Sequence, residues 1–325
     1  MTRKTRNILF FILLILFLLA APSTLLYSWG YRFDFSPPGG GIKITQTGGF
    51  YFKVWPKSAQ VVIDGKPSKR TDFFFGAAYL DNILPKKYEV EIQKEGYHSW
   101  KKTLEVKEAQ VTDAKNIVLL PQTPKFAALS QNVEEFFVSP DQKKMILMET
   151  EGRSFSLKLL ELQGNVKSQL AKESELRDTS LAEFVDSFFE VEKKELAEAI
   201  AKEPEEERPE GELSPDKKKL AYLANSEVWV LFLKEEPGQP SKRAGERLLV
   251  GRFSEKINQV FWLTSHYLVL TTGDKIRIAE IDDRDRVNII DFAEFKSPEI
   301  FLNQSDKKLY ILSEGSLSAS EKLLP

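Results

Sequence analysis

The chain carries two different hydrophobic patterns. From Ile8 to about Tyr27 an apolar run is uninterrupted by charge, whereas beyond residue 48 apolar positions alternate with polar ones in short segments. A run that is apolar on every side has no polar face to offer water, so it predicts a helix surrounded by lipid. About 20 such residues, at 1.5 Å rise each, cross a hydrocarbon layer of roughly 30 Å. Residues 8–28 are therefore read as a transmembrane helix. Arg3, Lys4 and Arg6 lie on its short side, within residues 1–7. By the positive-inside rule this segment is a cytoplasmic tail, and the C-terminal bulk is extracytoplasmic. Tyr27, Trp29 and Tyr31 fall where interfacial aromatics belong. The alternative is a cleaved signal peptide, because Ile8 to Ala21 has the length of a signal h-region, although Ala21-Pro22-Ser23 is a poor cleavage site. Either reading exports the remainder.

Residues 29–48 contain Pro37, Pro38, Gly39, Gly40 and Gly41 without periodicity and read as a linker. From 49 to 121 short β-branched and aromatic runs predict strands at Phe50 to Trp55, Gln60 to Ile63, Tyr88 to Ile92, Lys102 to Val106 and Asn116 to Leu120. Asp64-Gly65 and Glu95-Gly96 supply the positive φ of tight turns. Val62, Tyr88, Val90, Ile92, Leu104 and Val106 alternate with polar neighbours, which gives each strand one buried face and predicts a small β-sandwich. Pro56-Lys57-Ser58-Ala59, Val61-Val62-Ile63-Asp64-Gly65, Leu84-Pro85, Tyr88-Glu89-Val90 and Gly96-Tyr97 resemble a PEGA domain. The chain departs from that pattern at Ser58, Asp72 and Lys87. The resemblance implies a compact extracytoplasmic β-module of cell-surface proteins, without catalytic residues or a defined ligand.

In residues 122–325 a loose repeat recurs. Phe137-Val138-Ser139-Pro140-Asp141 precedes Lys144 to Leu147, Leu213-Ser214-Pro215-Asp216 precedes Lys219 to Tyr222, and Leu302-Asn303-Gln304-Ser305-Asp306 precedes Lys308 to Leu312. A more divergent unit runs from Val260 through His266 to Leu270. Each reads as strand, tight turn, strand, with proline presetting φ and aspartate bonding back to the backbone. Further strands at Val228 to Leu233 and Lys275 to Ile281 bring each unit to about 40 residues, the period of propeller blades. This half resembles the β-propellers of the TolB-type and WD-repeat class, with four recognisable units and closure left open. Residues 164–211 form a helical, acidic insertion. Leu181, Phe184, Val185, Phe188, Phe189 and Val191 recur at helical spacing, Glu192 to Lys202 are helix formers, and Pro204 and Pro209 end the run in an acidic tail. The apolar face of this helix either docks a partner or packs on the side of the propeller. The fold class expected is thus mainly β: an N-terminal transmembrane helix, a PEGA-like β-sandwich, then a β-propeller-like domain with the insertion.

Charge and composition narrow the function by exclusion. A formal net charge of -2 argues against a nucleic-acid partner, which would draw on a basic surface. The absence of cysteine removes thiol catalysis, disulfides and cysteine-based zinc sites. No nucleophile elbow, phosphate loop, dinucleotide fingerprint or His-Glu-x-x-His motif occurs. His98 and His266 are the only histidines and lie far apart. Asp282, Asp283 and Asp285 lack the glycine and terminal glutamate of a calcium loop and read as a polar hairpin. Glu205, Glu206 and Glu207 read as a solvated charge run. Trp55, Trp100, Trp229 and Trp262 sit in alternating strands, where core packing accounts for them; Trp100, beside Gly96-Tyr97, is the strongest of the four as a ligand contact. No catalytic, cofactor-binding or metal residue is singled out, and no cofactor is expected.

These readings lead to a non-catalytic binding or scaffolding protein of the bacterial cell envelope, anchored in the cell membrane by a single pass. Its expected partners are the membrane and an envelope protein, with a polysaccharide as a further candidate. The alternatives are an envelope hydrolase whose carboxylates meet at the propeller mouth, or a cell-wall polysaccharide-binding protein.

Overall fold

A computed structural model describes residues 3–35, 40–176, 179–194 and 210–324. The chain divides into two compact units, Met1–Leu119 and Leu120–Pro325.

The first unit opens with helix α1 (Arg3–Ser28), in which no residue is buried. It begins five residues before the apolar run, because the polar Arg3 to Asn7 are good enough helix formers to continue the hydrogen-bond ladder outward. Residues 29–48, expected as a linker, contain a hairpin of β1 (Tyr31–Asp34) and β2 (Lys43–Gln46). Its strands are only four residues long, and the proline and glycine run between them hides their alternation; residues 36–39 of that run lie outside the described residues.

The sandwich comprises β3 (Gly48–Trp55), β4 (Gln60–Ile63), β5 (Lys66–Arg70), β6 (Ala77–Ile83), β7 (Lys87–Gln93), β8 (Trp100–Glu105) and β9 (Val111–Val118). One sheet has the order β6-β3-β9, the other β5-β4-β7-β8. Alternate residues of both sheets meet in one core, with Phe50, Phe52, Val54, Leu80 and Ile117 against Val61, Tyr88, Val90, Ile92, Trp100 and Leu104. Asp64 and Gly65, both at positive φ, turn β4 into β5. Strands β5 and β6 escaped the sequence reading: β5 is exposed at all five positions, and β6 buries only two of seven.

The second unit is four sheets of four strands, arranged like propeller blades. The first blade is β11 (Val133–Val138), β12 (Lys144–Glu151), β13 (Ser154–Glu161) and β14 (Val166–Lys172). Strand β14 falls inside the segment 164–211 that was expected to be a helical insertion, which therefore begins only after Lys172; its polar sequence, exposed over its first four residues, looks like loop until it is paired to β13. The second blade is β15 (Glu212–Leu213), β16 (Lys219–Ala224), β17 (Glu227–Phe232) and β18 (Arg247–Arg252). The third is β19 (Ile257–Thr264), β20 (Tyr267–Thr272), β21 (Lys275–Glu280) and β22 (Ile289–Glu294). The fourth joins β23 (Glu299–Asn303), β24 (Lys308–Ser313) and β25 (Ser316–Ser320) to β10 (Phe126–Gln131), the first strand of the unit. The first and last strands of the unit are thus hydrogen-bonded neighbours.

The repeated turn is built the same way twice. Ser139 and Ser214 donate from Oγ to Asp141 and Asp216 at 2.7 and 2.6 Å, and accept from the amides of Lys144 and Lys219, both at 2.9 Å. The aspartates accept from Lys143 and Lys218 amides. Gln142 and Lys217, and Lys307 in the fourth blade, all take the left-handed conformation at the equivalent position. In the third blade Thr264 Oγ1 accepts the His266 amide instead, which is why that copy diverges in sequence.

The second blade packs on the third, the third on the fourth, and the fourth on the first. Residues of the second and third share a core around Val230, Phe232, Trp262 and Leu268. Gln259 exchanges two hydrogen bonds with the backbone of Ile300 between the third and fourth. The fourth meets the first through Tyr310, Phe301, Met145 and Leu147, and Asn303 Nδ2 donates to Gln142 O at 2.9 Å. The opposite face of the first blade, with Ile146 and Leu157, is covered by α2 (Glu173–Leu176) and α3 (Leu181–Phe188) through Leu176, Val185 and Phe189. Of the two expected uses of the insertion's apolar face, packing on the blade is the one observed. Ser180 and Glu183 form a reciprocal capping box that starts α3. Residues 195–209, including most of the expected acidic tail and both prolines, lie outside the described residues.

Candidate functional site

The two histidines lie in different units. His98 follows the Gly96 turn of the sandwich, and His266 sits in the first turn of the third blade. Trp100 and Trp262 are core residues, 4% and 3% exposed, so neither offers a flat surface to a ligand. Trp229 donates to Glu227 Oε2, and Trp55 is half-buried. Among the described residues no group of three or more histidine and acidic side chains could hold a metal ion. Asp282 instead pairs with Arg284 at 2.6 Å, and Asp283 with Lys242 at 2.7 Å.

The turn ends of the second and third blades assemble a buried ion network. Lys219 is fully buried, and its ammonium lies 3.1 Å from Asp216 and 2.6 Å from Glu236. Burial alone would raise the Asp216 carboxyl, but the Ser214 hydroxyl, the Lys218 amide and the Lys219 ammonium hold it below the usual carboxylate range. Lys242 likewise has burial working against its charge, and Asp283 and Glu246 outweigh it and raise its pKa. His266 is pushed down by burial and by Lys219, with Glu236, Asp216 and Asp282 opposing. A second such network lies where Glu149 meets Ser130, Lys158 and Lys167. The Lys219 pairs tie down the turn within the second blade, while Lys242–Asp283 and Ser130–Glu149 join neighbouring blades. These carboxylates are not poised to exchange protons.

Two carboxyls behave differently. Glu212 begins β15 and Glu299 begins β23, the edge strands that lie beside β19 on either side. Both are raised chiefly by partial burial of the carboxyl, although each residue as a whole is exposed, and Glu299 further by Glu135 of β11. Alternation in a short strand gave no hint of them, because a glutamate on an edge strand reads as an ordinary exposed position.

These groups give the fold a specific response to acid. His98 and His266 are held below the ordinary imidazole value, chiefly by burial. The unfolded chain therefore takes up these protons first, and stability falls as the pH drops below about 6.5. Asp141, Asp216 and Glu149 are depressed despite burial, so their contribution is complete above the unfolded carboxylate range and is lost as the pH falls through their folded values. Glu212 and Glu299 act in the opposite sense, because the folded chain protonates first and gains stability on acidification. Thermal melts between pH 7 and 5 should show a falling midpoint that His266→Gln flattens and Glu299→Gln steepens. Equal slopes in both variants would contradict this assignment.

The most distinctive surface lies on the first unit, in the loop between β5 and β6. Phe73, Phe74 and Phe75 are consecutive and 74%, 75% and 75% exposed. The loop that carries them is tightly held. Asp72 accepts from the amides of Phe74, Phe75 and Ala77 at 2.9, 2.6 and 2.7 Å, and the Phe75 amide does most to depress its pKa. Gly76 has φ +67°, and a Cβ there would stand 2.3 Å from Val54 O. Monomeric proteins rarely display adjoining large apolar side chains on an ordered loop without use for them. The sequence signal was visible as three consecutive phenylalanines before glycine, outside any alternating strand.

No family model matches the chain, and no curated protein matches it. The PEGA resemblance of the sandwich thus has no family match behind it. Among solved structures the chain is similar to the extracellular domain of a putative hybrid two-component system from B. thetaiotaomicron, at 8% identity and TM-score 0.25, over 73% of this chain and 26% of that one. It is also similar to the β-propeller domain of Cps50 (Swd1) from Myceliophteria thermophila, at 10% identity and TM-score 0.26, over 72% and 65%. A putative TolB from Agrobacterium tumefaciens matches at 11% identity and TM-score 0.19, over 82% and 75%. The chain spans about a quarter of the length of the first of these and just under two thirds of the second. The propeller-like description rests on the four sheets themselves.

Proposed function

We propose that this chain is a non-catalytic binding or scaffolding protein of the cell envelope, anchored by α1 with its folded bulk outside the cytoplasm. The observation that carries the reading is the Phe73-Phe74-Phe75 loop, ordered by Asp72 yet exposed, which suits insertion into an apolar groove of a protein partner. The anchor is supported by a 26-residue helix of mean hydropathy 2.7 over its most apolar stretch, unburied throughout, with Arg3, Lys4 and Arg6 at its start. The sandwich, read as a PEGA-like module on its residues, carries the loop. The propeller-like unit gives a rigid platform whose turn carboxylates are paired with Lys219, Lys242 and Arg284, the Lys242–Asp283 pair joining the second and third blades. A polysaccharide contact has less support, since Trp100 is in the core.

The second reading, an envelope hydrolase, draws on the raised carboxyls of Glu212 and Glu299. The two readings separate in one experiment. A photo-crosslinking residue at Tyr79, exposed on β6 next to the loop, should capture a defined envelope protein. The triple change Phe73→Ser, Phe74→Ser, Phe75→Ser should reduce that adduct at least tenfold, corresponding to about 1.4 kcal/mol or more of lost affinity. Glu212→Gln with Glu299→Gln should leave it unchanged. An adduct insensitive to the phenylalanines would remove the binding role of the loop, and a cellular phenotype confined to the glutamate pair would favour the hydrolase.

A further inference from the structure

The segment between the apolar helix and the sandwich is a two-faced hairpin, and its apolar face is left exposed among the described residues. Phe33 and Ile44 are register partners, and Phe35 and Ile42 continue the same side by alternation. All four are exposed, from 53% at Ile44 to 72% at Phe35. The other face belongs to the sandwich. Arg32 donates to Asn82 Oδ1 at 2.5 Å, Thr45 Oγ1 donates to Glu108 Oε1 at 2.6 Å, and Lys43 lies 3.2 Å from the same carboxylate. The Thr45 hydroxyl and then Lys43 hold Glu108 below its usual range, which keeps this face ionised and docked.

Chain continuity names the occupant. Only Trp29 and Gly30 separate the end of α1 from β1, and the junction is bolted. Gly30 O accepts from both the amide and the hydroxyl of Thr47, at 2.9 and 2.8 Å, and Gln46 Nε2 donates to Trp29 O at 3.1 Å. Arg32 donates to Tyr27 O at 2.8 Å while its guanidinium stacks 3.5 Å from the Tyr27 ring centre. Gly30 has φ +84° with Thr47 Oγ1 3.1 Å from where a Cβ would stand, so the tight reversal suits glycine. The hairpin therefore leaves the helix end at a set angle, and Tyr27 and Trp29 beside the junction are themselves exposed.

We infer that the hairpin is an interfacial foot: Phe33, Phe35, Ile42 and Ile44 sit in the headgroup and upper acyl region of the bilayer that holds α1. This rests on the reading of α1 as an anchor. Apolar side chains beside a span are favoured at that depth, about 5–10 Å into the boundary. The foot holds the sandwich upright on the membrane. Strand β3 runs from the hairpin end to the Phe73 loop, with Gly48 opposite Ile83 and Lys53 opposite Ala77, so the phenylalanine loop lies at the far end, roughly 20 Å away at about 3.3 Å per residue.

Because the chain has no cysteine, single cysteines can be placed without background in the full chain. Leu16→Cys, Ile44→Cys, Phe35→Cys and Phe74→Cys are each labelled with a solvent-sensitive fluorophore and reconstituted into phosphatidylcholine and phosphatidylglycerol vesicles carrying a shallow nitroxide lipid. Labels at positions 44 and 35 should shift to the blue and lose most of their emission, as the label at 16 does to a deep nitroxide, while the label at 74 does neither. Quenching at 16 without quenching at 44 and 35 overturns the foot and leaves the anchor standing. A blue shift at 44 that lipid nitroxide does not quench also overturns it, in favour of a second copy of the chain. Loss of quenching at 16 itself rejects the anchor reading.

Discussion

Lys219→Ala should destabilise the propeller-like unit by about 3–5 kcal/mol, the cost of leaving buried charge without its counter-ion. The side chain of Lys219 is fully buried, and the carboxylates it neutralises, Asp216 and Glu236, are themselves largely enclosed. Its removal would leave two like charges close together in a low-dielectric seam, beside the buried His266. Lys219→Met, which keeps the stem, should cost nearly as much, because the missing ammonium rather than the missing methylenes is decisive. Adding Glu236→Gln to Lys219→Met should recover a substantial part of the loss, since one unpaired charge is then gone. Urea unfolding followed by tryptophan emission measures all three variants. A loss below about 1 kcal/mol for the alanine variant, with no recovery in the double variant, would mean that water reaches the seam and the network is ornamental.

Replacing Phe126–Gln131 with alternating glycine and serine of the same length should cost a comparable amount, about 5 kcal/mol. Five residue pairs join β10 to β25, and although glycine and serine keep the backbone groups that bond them, three glycines add about 0.5–1 kcal/mol each in the entropy of ordering the strand. The change also removes the Phe126 ring, which packs edge-on against Phe292 and Phe295 at 6.4 and 5.0 Å, and the Ser130 hydroxyl that bonds Glu149. The fourth blade would be left with three strands and with β25 as an open edge. Limited proteolysis should then cut first between Lys308 and Lys322, while the sandwich remains intact. Resistance equal to that of the unaltered chain would show that β10 is dispensable.

The readability of this fold from its sequence follows how far each element's burial is one-sided. Strands β7 and β17 were legible because every second residue is buried, and the Ser-Pro-Asp turns because serine, proline and aspartate each have a local role. Two more divergent turns brought the recognisable units to four, with the number of blades left open. Strands β5 and β14 were illegible because they are mostly solvent-facing, so that pairing rather than pattern makes them strands. The hairpin β1–β2 was hidden by its proline and glycine loop. Of the candidate surfaces, the phenylalanine triplet was visible in the letters, but its exposure was not: only Asp72 and Gly76 in place show that the side chains point outward. Glu212 and Glu299 could not have been found, because their shifted protonation arises from neighbours distant in sequence.

The pairing of β10 with β25 also sets an order in time. Gln131 bonds to Ser316, 185 residues later, so the earlier strand emerges long before its partner exists. Until β25 is made, β10 is a waiting edge that a neighbouring nascent chain could take. The sandwich, part of a compact unit that ends at Leu119, can finish on its own schedule. Synthesis therefore completes the first unit while the fourth blade of the second still waits for β25 to close it.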